Sequence, residues 1–259
     1  MIETRDLAVT MGRARILSGV DFAAKAGAVT AVVGPNGSGK TTLLRALSGD
    51  VAHTGTVTIN GRALAALKPW QAAALRAVLP QHTPLAFPFT VGEVVRLGLT
   101  GGDAGAAGAA LPERALARVD LAGYAGRLYQ ELSGGEQQRV QLARVLCQVW
   151  QPVAGGAPRW LLLDEPVSSL DMRHQLLVMR IAADFAAAGG GVVAVLHDLN
   201  LAAMFAGHIV MMKQGAPAAA GPPRTVLCDA VLARVFDCPL AVGRVPDDGT
   251  PFVLPQAAG

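Results

Sequence analysis

A lysine and a threonine closing a glycine-rich run, two adjacent carboxylates after an apolar run, and a histidine after another apolar run are the side chains best equipped for chemistry. The first run, Gly34-Pro35-Asn36-Gly37-Ser38-Gly39-Lys40-Thr41, has glycine-x4-glycine-lysine-threonine spacing, follows the apolar Val29 to Val33 and precedes the helix-compatible Thr42 to Leu47. Backbone N–H groups can wrap a triphosphate only where no side chain blocks the approach and positive φ is tolerated, which Gly34, Gly37 and Gly39 provide. A helix starting near Lys40 aims its unpaired N–H groups and positive dipole end at the phosphates. Lys40 then reaches the β and γ oxygens, and Thr41 places its hydroxyl on a Mg2+ ion.

Asp164 and Glu165 end the apolar run Leu161-Leu162-Leu163, the carboxyl end of a buried strand, where an open α/β sheet places its chemistry. Asp164 is read as holding Mg2+ and Glu165 as orienting and polarising an attacking water. Taken alone, the pair also reads as an acidic helix cap ahead of Pro166; coupled to the phosphate loop, the catalytic reading prevails. His197 directly follows Val192 to Leu196. The order of strands puts it beside Glu165 and near a γ-phosphate, with Asp198 placed to fix its ring. A third segment, Leu132-Ser133-Gly134-Gly135-Glu136-Gln137, is a glycine-rich turn entering a helix, which offers N–H donors to an anion.

Positioning these groups requires alternating strands and helices. Ile2 to Thr10 and Arg15 to Phe22 alternate like short strands, and Gly55 to Gly61 reads as another that ends in an Asn-Gly turn, so an antiparallel β layer lies beside the phosphate loop. Gln71 to Leu75 is helical, and Ala77-Val78-Leu79 leads into Pro80-Gln81. Residues 82–150 carry no convincing strand but show helical segments at Val91 to Leu97, Glu113 to Val119 and Gln137 to Trp150, the pattern of a helical insert. Within it, Gly101 to Gly108 is low in complexity and reads as a surface loop. Strand Trp160 to Leu163, helix Asp171 to Ala188, strand Val192 to Leu196 and helix Leu199 to Phe205 follow. Strands apolar throughout are those of a parallel sheet covered on both faces.

Composition narrows the classes. A chain of 259 residues supports one core domain, with or without a subdomain. Hydrophobic residues make up 52%, yet the longest stretch free of charged side chains, Ala77 to Gly92, is broken by three prolines, so no membrane-spanning helix is expected. Charges in Met1 to Asp6 argue against a secretion signal, which predicts a cytoplasmic protein. Cys147, Cys228 and Cys238 lack metal-like spacing and are read as buried or half-buried. A net charge of +3 without basic clusters gives no reason to expect nucleic acid.

With these segments in place, nearly the whole chain resembles the nucleotide-binding subunit of an ABC transporter. The resemblance implies an α/β P-loop NTPase fold with a mostly parallel sheet and flanking helices. It implies one domain over 1–259, an α-helical subdomain inserted at 82–150, and a C-terminal β/α extension at 207–259. The implied cofactors are ATP and Mg2+, with Lys40, Glu165 and His197 catalytic, Gly34 through Thr42 around the nucleotide, and Thr41, Gln81 and Asp164 toward the metal. Leu132 to Gln137 becomes the signature, whose Ser133, Gly134, Gly135 and Glu136 cap the ATP held by a second copy, so that two copies sandwich two ATP molecules. Gln81 resembles the Q-loop glutamine, and Ser168 to Asp171 the D-loop. Val167 and Ser169 stand where the family usually has threonine and alanine, and Met11 or a neighbour stands where it usually stacks an aromatic on adenine.

Within the family, His197 to Ala203 resembles importers of iron chelates, haem and cobalamin. Leu79 to His82, Leu85 to Val91 and Val235 to Pro239 are similar to haem importer ATPases, with ferric-siderophore or cobalamin import as the alternative. This implies a peripheral subunit on the cytoplasmic face of a bacterial inner membrane. Its partners would be a permease dimer docking near Gln81 to Val91 and, indirectly, a periplasmic haem-binding protein. Leu85, Phe87 and Phe89 are read either as that docking surface or as residues tucked into the insert. Met204, Met211 and Met212 are read as packing residues, and they and His82 are not read as haem ligands. A soluble ATPase acting on nucleic acid or ribosomes shares the ATP motifs, but heptad coiled coils and a second phosphate loop are missing. An exporter ATPase fits less well with the stretch after His197.

Overall fold

Two kinds of strand pattern in the sequence become two sheets, with one helix held between them. The computed structural model describes residues 1–81, 87–101, 108 and 110–257. The chain opens with β1 (Ile2–Met11), β2 (Ala14–Ala24), β3 (Val29–Val33), α1 (Lys40–Ser48), β4 (Thr54–Ile59), β5 (Arg62–Ala63), α2 (Pro69–Leu75) and β6 (Arg76–Leu79). Next come α3 (Val91–Arg96), α4 (Leu111–Arg118), α5 (Gly134–Gln148), β7 (Val153–Ala154), β8 (Ala157–Pro158) and β9 (Trp160–Asp164). It continues through α6 (Met172–Ala187), β10 (Gly191–Val195), α7 (Leu199–Phe205), β11 (His208–Lys213), β12 (Ala216–Gly221), α8 (Pro223–Val226) and α9 (Asp229–Phe236).

The half-polar strands form an antiparallel sheet ordered β2-β1-β4-β5, in which Ile2, Leu7 and Val9 are buried beside more exposed neighbours. The apolar strands form a sheet ordered β12-β11-β3-β10-β9-β6, parallel throughout except for β12. Every residue of β3, β9 and β10 is buried, as expected for strands covered on both faces. Val29, Ala31, Val33, Leu161, Leu163, Val192 and Ala194 face a core shared with α3 to α7. Val32, Leu162, Val193 and Val195 face the opposite core, with Leu43, Leu44 and Leu47 of α1 and Leu7, Leu17 and Ile59 of the antiparallel sheet. Burying a leucine is worth roughly 1.5–3 kcal/mol and a side-chain helix cap about 1 kcal/mol, so the buried leucines can hold α1 in place although its N-cap makes no side-chain bond.

Three hairpins have two-residue loops with positive φ at both positions: Asn60-Gly61, Gly155-Gly156 and Gln214-Gly215. This turn type has the twist that antiparallel strands require. The Asn-Gly signal announced the first. Strands β7, β8, β11 and β12 were not singled out; β7 and β8 are two residues each, and β12 is mostly alanine, glycine and proline and carries little alternation. Helix α5 begins at Gly134 rather than at Gln137, because Ser133 caps it.

Between β6 and β7 the described residues form α3, α4 and α5, with an isolated bridge from Thr90 to Leu128 as their β pairing. Of the glycine-rich run 101–108, residues 102–107 lie outside the described ones, as do His82 and Leu85. Met211 and Met212 are fully buried in β11, and Met204 packs half-buried against the core. Cys147 is buried, which pushes its thiol up to about 12, and Cys228 is half-buried. Cys238 is exposed, contrary to expectation, because it lies just beyond the end of α9. No helix among the described residues is long and apolar enough to cross a membrane.

Candidate functional site

The loop between β3 and α1 is shaped by glycines that accept no substitute. Gly34, Gly37 and Gly39 have φ of 145°, 75° and 96°. A Cβ at Gly34 would overlap the Met212 carbonyl oxygen, and one at Gly39 would sit 2.8 Å from Leu17 Cδ2. Gly39 is the N-cap of α1 and supplies no side-chain acceptor, so the first N–H groups of the helix are left for a ligand. Lys40 Nζ donates to the carbonyls of Gly34 and Pro35, both at 2.9 Å. Burial lowers the Lys40 pKa, against the pull of Glu165 and Asp164. Ser38 Oγ is buried with no hydrogen-bond partner.

Thr41 Oγ1 donates to Asp164 Oδ1 at 3.1 Å, joining the start of α1 to the end of β9. Burial raises the Asp164 pKa, opposed by the Thr41 hydrogen bond and reinforced by Glu165. Glu165 has φ of 49°, in the left-handed region that side-chain-bearing residues seldom occupy. Its Oε1 lies 2.6 Å from His197 Nε2, and its Oε2 accepts from Gln81 Nε2 at 2.8 Å. Its main-chain oxygen accepts from Gln138 Nε2 at 2.9 Å and from Ser168 Oγ at 3.2 Å. The parallel register aligns the ends of β9 and β10, which is why His197 meets Glu165. Asp198 does not hold the His197 ring as expected. Its carboxylate accepts from the N–H groups of Asn200 and Leu201 at 2.6 and 3.2 Å, because it is the N-cap of α7.

These groups border a cavity of about 630 Å³ lined by Ile16, Asn36, Gly37, Gly39, Lys40, Thr41, Thr42, Gln81, Glu165 and His197. Gly34, Pro35, Ser38 and Asp164 are not in its lining, although Gly34 and Pro35 hold Lys40 and Asp164 holds Thr41. Met11 is not in the lining either. It pairs with Ala14 at the tip of the β1–β2 hairpin, and the aliphatic side chain bordering the cavity is Ile16. The loop's open N–H groups and lysine suit a phosphate chain. The hydroxyl of Thr41 against the carboxylate of Asp164 is an oxygen donor pair that suits a hard cation such as Mg2+.

Ser133, Gly134, Gly135 and Glu136 lie around a second cavity of about 510 Å³, with Arg139, Ser169, Leu170, Asp171 and His174. Ser133 caps α5, and both its N–H and its hydroxyl donate to Glu136 Oε2 at 2.8 Å. Those two hydrogen bonds hold the Glu136 carboxyl below its usual range. Gly135 packs so tightly that a Cβ would stand 3.0 Å from the Ser169 carbonyl oxygen. Val167 is buried.

Ile16 and Gln138 were not singled out from the sequence, and Ser168, read only as part of the D-loop, also bonds the Glu165 main chain. Gln138 stands one position past the quoted signature, and nothing local marks it. Phe87 is 68% exposed, whereas Phe89 packs against the core with its ring edge-on to Phe87 at 6.3 Å. The two readings of this segment therefore divide between neighbouring aromatics.

Residues 17–168 match the ABC transporter family. A protein of Chelativorans sp. named "Hemin import ATP-binding protein HmuV" is 65% identical over 258 residues, covering 100% of this chain and 99% of its own length. Proteins of the same name from Mesorhizobium japonicum and Rhizobium meliloti are 62% and 59% identical, each covering 100% of this chain and 99% of the relative. Among solved structures, a bacterial ABC transporter cassette captured as a dimer matches with a TM-score of 0.76 at 26% identity, covering 86% of this chain and 99% of that one. An ATP-binding subunit of an ABC transporter matches in fold with a TM-score of 0.75 at 23% identity, covering 93% of this chain and 95% of that one.

Proposed function

The chain belongs to the ABC transporter family, and from that premise we propose that it is the ATP-hydrolysing subunit that energises haem import through a membrane permease. The observation carrying the ATPase half is the meeting of Lys40, Thr41, Gln81, Glu165 and His197 around one cavity. The haem half rests on the full-length likeness to hemin import proteins.

In this reading the loop Gly34 to Thr42 wraps the phosphates and Lys40 leaves its carbonyl partners for the β and γ oxygens. Thr41, Asp164 and Gln81 are the residues to hold Mg2+, which when bound would draw charge from the phosphoryl oxygens. Glu165 orients and polarises the attacking water, and His197 stabilises charge developing on the γ-phosphate. Gln81 and His197 each engage one Glu165 oxygen, which fixes the carboxylate's orientation and leaves lone pairs free to accept from a water.

Ser133, Gly134 and Gly135 lie at their own cavity and face a nucleotide held by a second copy, arranged head to tail. The likeness to a cassette solved as a dimer supports this arrangement. ATP binding then closes the pair, hydrolysis releases it, and the movement passes to a permease docked near Gln81 to Val91. Such a subunit sits on the cytoplasmic face of the membrane without crossing it, and a periplasmic haem-binding protein feeds the permease from the other side.

The test is growth of a strain lacking this chain on haem, on ferric siderophore, and under a cobalamin-dependent condition, with Lys40→Ala as control. Loss on haem alone, restored by the wild-type chain and not by Lys40→Ala, is the expected result. Normal growth on haem with failure on another substrate would discard haem and leave the ATPase assignment standing.

A further inference from the structure

Gln138 ties α5, the helix opened by Ser133-Gly134-Gly135, to the main chain of Glu165. Its Nε2 donates to the Glu165 carbonyl at 2.9 Å, while its Oε1 is buried with no partner. A buried amide that leaves its acceptor unmet is unfavourable. An aliphatic side chain would fill the same space without that penalty, so space-filling does not account for an amide here. What the amide holds is a residue in a left-handed conformation, with φ of 49°. The Glu165 N–H donates to Val195 at 3.2 Å, and its carbonyl is gripped by Gln138 and by Ser168 Oγ at 3.2 Å. Its carboxylate can aim into the first cavity only while that peptide keeps its tilt.

We propose that Gln138 is a positioning residue for Glu165, through which occupancy of the second cavity alters hydrolysis at the first. The link runs inside one chain: Ser133 to Gly135 open α5, Gln138 lies one turn further along it, and Glu165 lies at the end of β9. A displacement of α5 when its N-terminus meets an anion is carried by the Gln138 amide to the Glu165 peptide. The inference rests on the reading of Glu165 as the water-polarising group and of Ser133 to Gly135 as facing a partner's nucleotide.

The test uses the full chain with its permease and measures steady-state ATP hydrolysis, equilibrium ATP binding and thermal melting. Gln138→Met keeps the length of the side chain and removes the donor. The expected result is a kcat about tenfold lower, as for one lost hydrogen bond, with ATP affinity and Tm close to wild type and a Hill coefficient reduced toward one. In a Glu165→Gln background the same substitution should change residual turnover by less than about twofold, because its effect passes through that carboxylate. An equal loss in both backgrounds, or a wild-type kcat in Gln138→Met, would overturn the inference while the ATPase assignment stands.

If Gln138→Met melts early, Gln138→Glu decides, since its carboxyl regains a donor on protonation. Its kcat relative to wild type should climb as pH falls, and a ratio that stays flat with pH overturns the proposal. Absence of hydrolysis by the wild-type complex would overturn both the inference and the reading beneath it.

Discussion

The two cavities are each built on a helix N-terminus, yet the two caps are finished differently. At α1 the cap is Gly39, which brings no acceptor, and the open N–H groups have Lys40 beside them and Glu165, just past β9, across the cavity. At α5 the cap is Ser133, whose hydroxyl accepts from the Glu136 N–H at 3.3 Å while Glu136 closes back on Ser133. A helix end that satisfies its own donors is stable without a ligand; one that does not is completed by its ligand. The first cavity sets Lys40 beside an uncapped helix start and a Glu165–His197 pair across from it, whereas the second, lined by Glu136, Arg139, Asp171 and His174, has a helix start whose Ser133 donors are already met by Glu136.

The largest effect that separates the cavities should come from Glu165→Gln. Steady-state hydrolysis should fall by roughly two orders of magnitude or more with ATP binding retained, and unchanged turnover would sink the role of Glu165. Next, Lys40→Ala should weaken ATP binding to the isolated chain by about 10- to 100-fold, the range for losing a charge-assisted hydrogen bond. Ser133→Ala should leave that affinity within about twofold, and an equal loss from both would erase the distinction between the two cavities.

Ser133→Ala should instead act on stability. Removing the capping box is expected to lower stability by about 1 kcal/mol, or Tm by roughly 2–4 °C in a chain of this size, measurable by calorimetry without nucleotide.

The smallest effect concerns Asp164. Its pKa is raised above 3.8 by burial, so the folded chain keeps the proton to higher pH than the unfolded chain does. Stability from this group is therefore greatest below about that ordinary value and is lost as pH rises through the raised one. The Thr41 hydrogen bond offsets part of this. Asp164→Asn should raise the Tm of the nucleotide-free chain near neutral pH, read by calorimetry across pH. The gain in Tm should shrink in acid, and a gain independent of pH would contradict the sign.

Much of the fold could be read along the chain. Strands β3, β9 and β10 are apolar at nearly every position and could only be buried, and the Asn60-Gly61 dipeptide announced its hairpin. The extent of α5 was misjudged by three residues because apolar periodicity begins after a cap, not at it. Strand β12 escaped because alanine, glycine and proline give no face to detect. Asp198 was misjudged because a carboxylate after a histidine and a carboxylate before a helix look alike in sequence, and the nearer N–H groups of α7 took it.

Residue type and spacing were enough to determine the phosphate loop, the acidic strand end and the glycine-rich helix start, because each depends on local stereochemistry: positive φ, an open helix end, a buried apolar run. Only the tertiary structure decided which groups touch. Parallel pairing of β9 with β10 brought His197 to 2.6 Å from Glu165, packing around α1 set Thr41 against Asp164, and the seating of α5 on the core put the Gln138 amide on the Glu165 carbonyl. Those contacts join residues 27 to 123 positions apart or lie at the ends of separate strands, so strand register and helix packing, rather than any local pattern, bring them together.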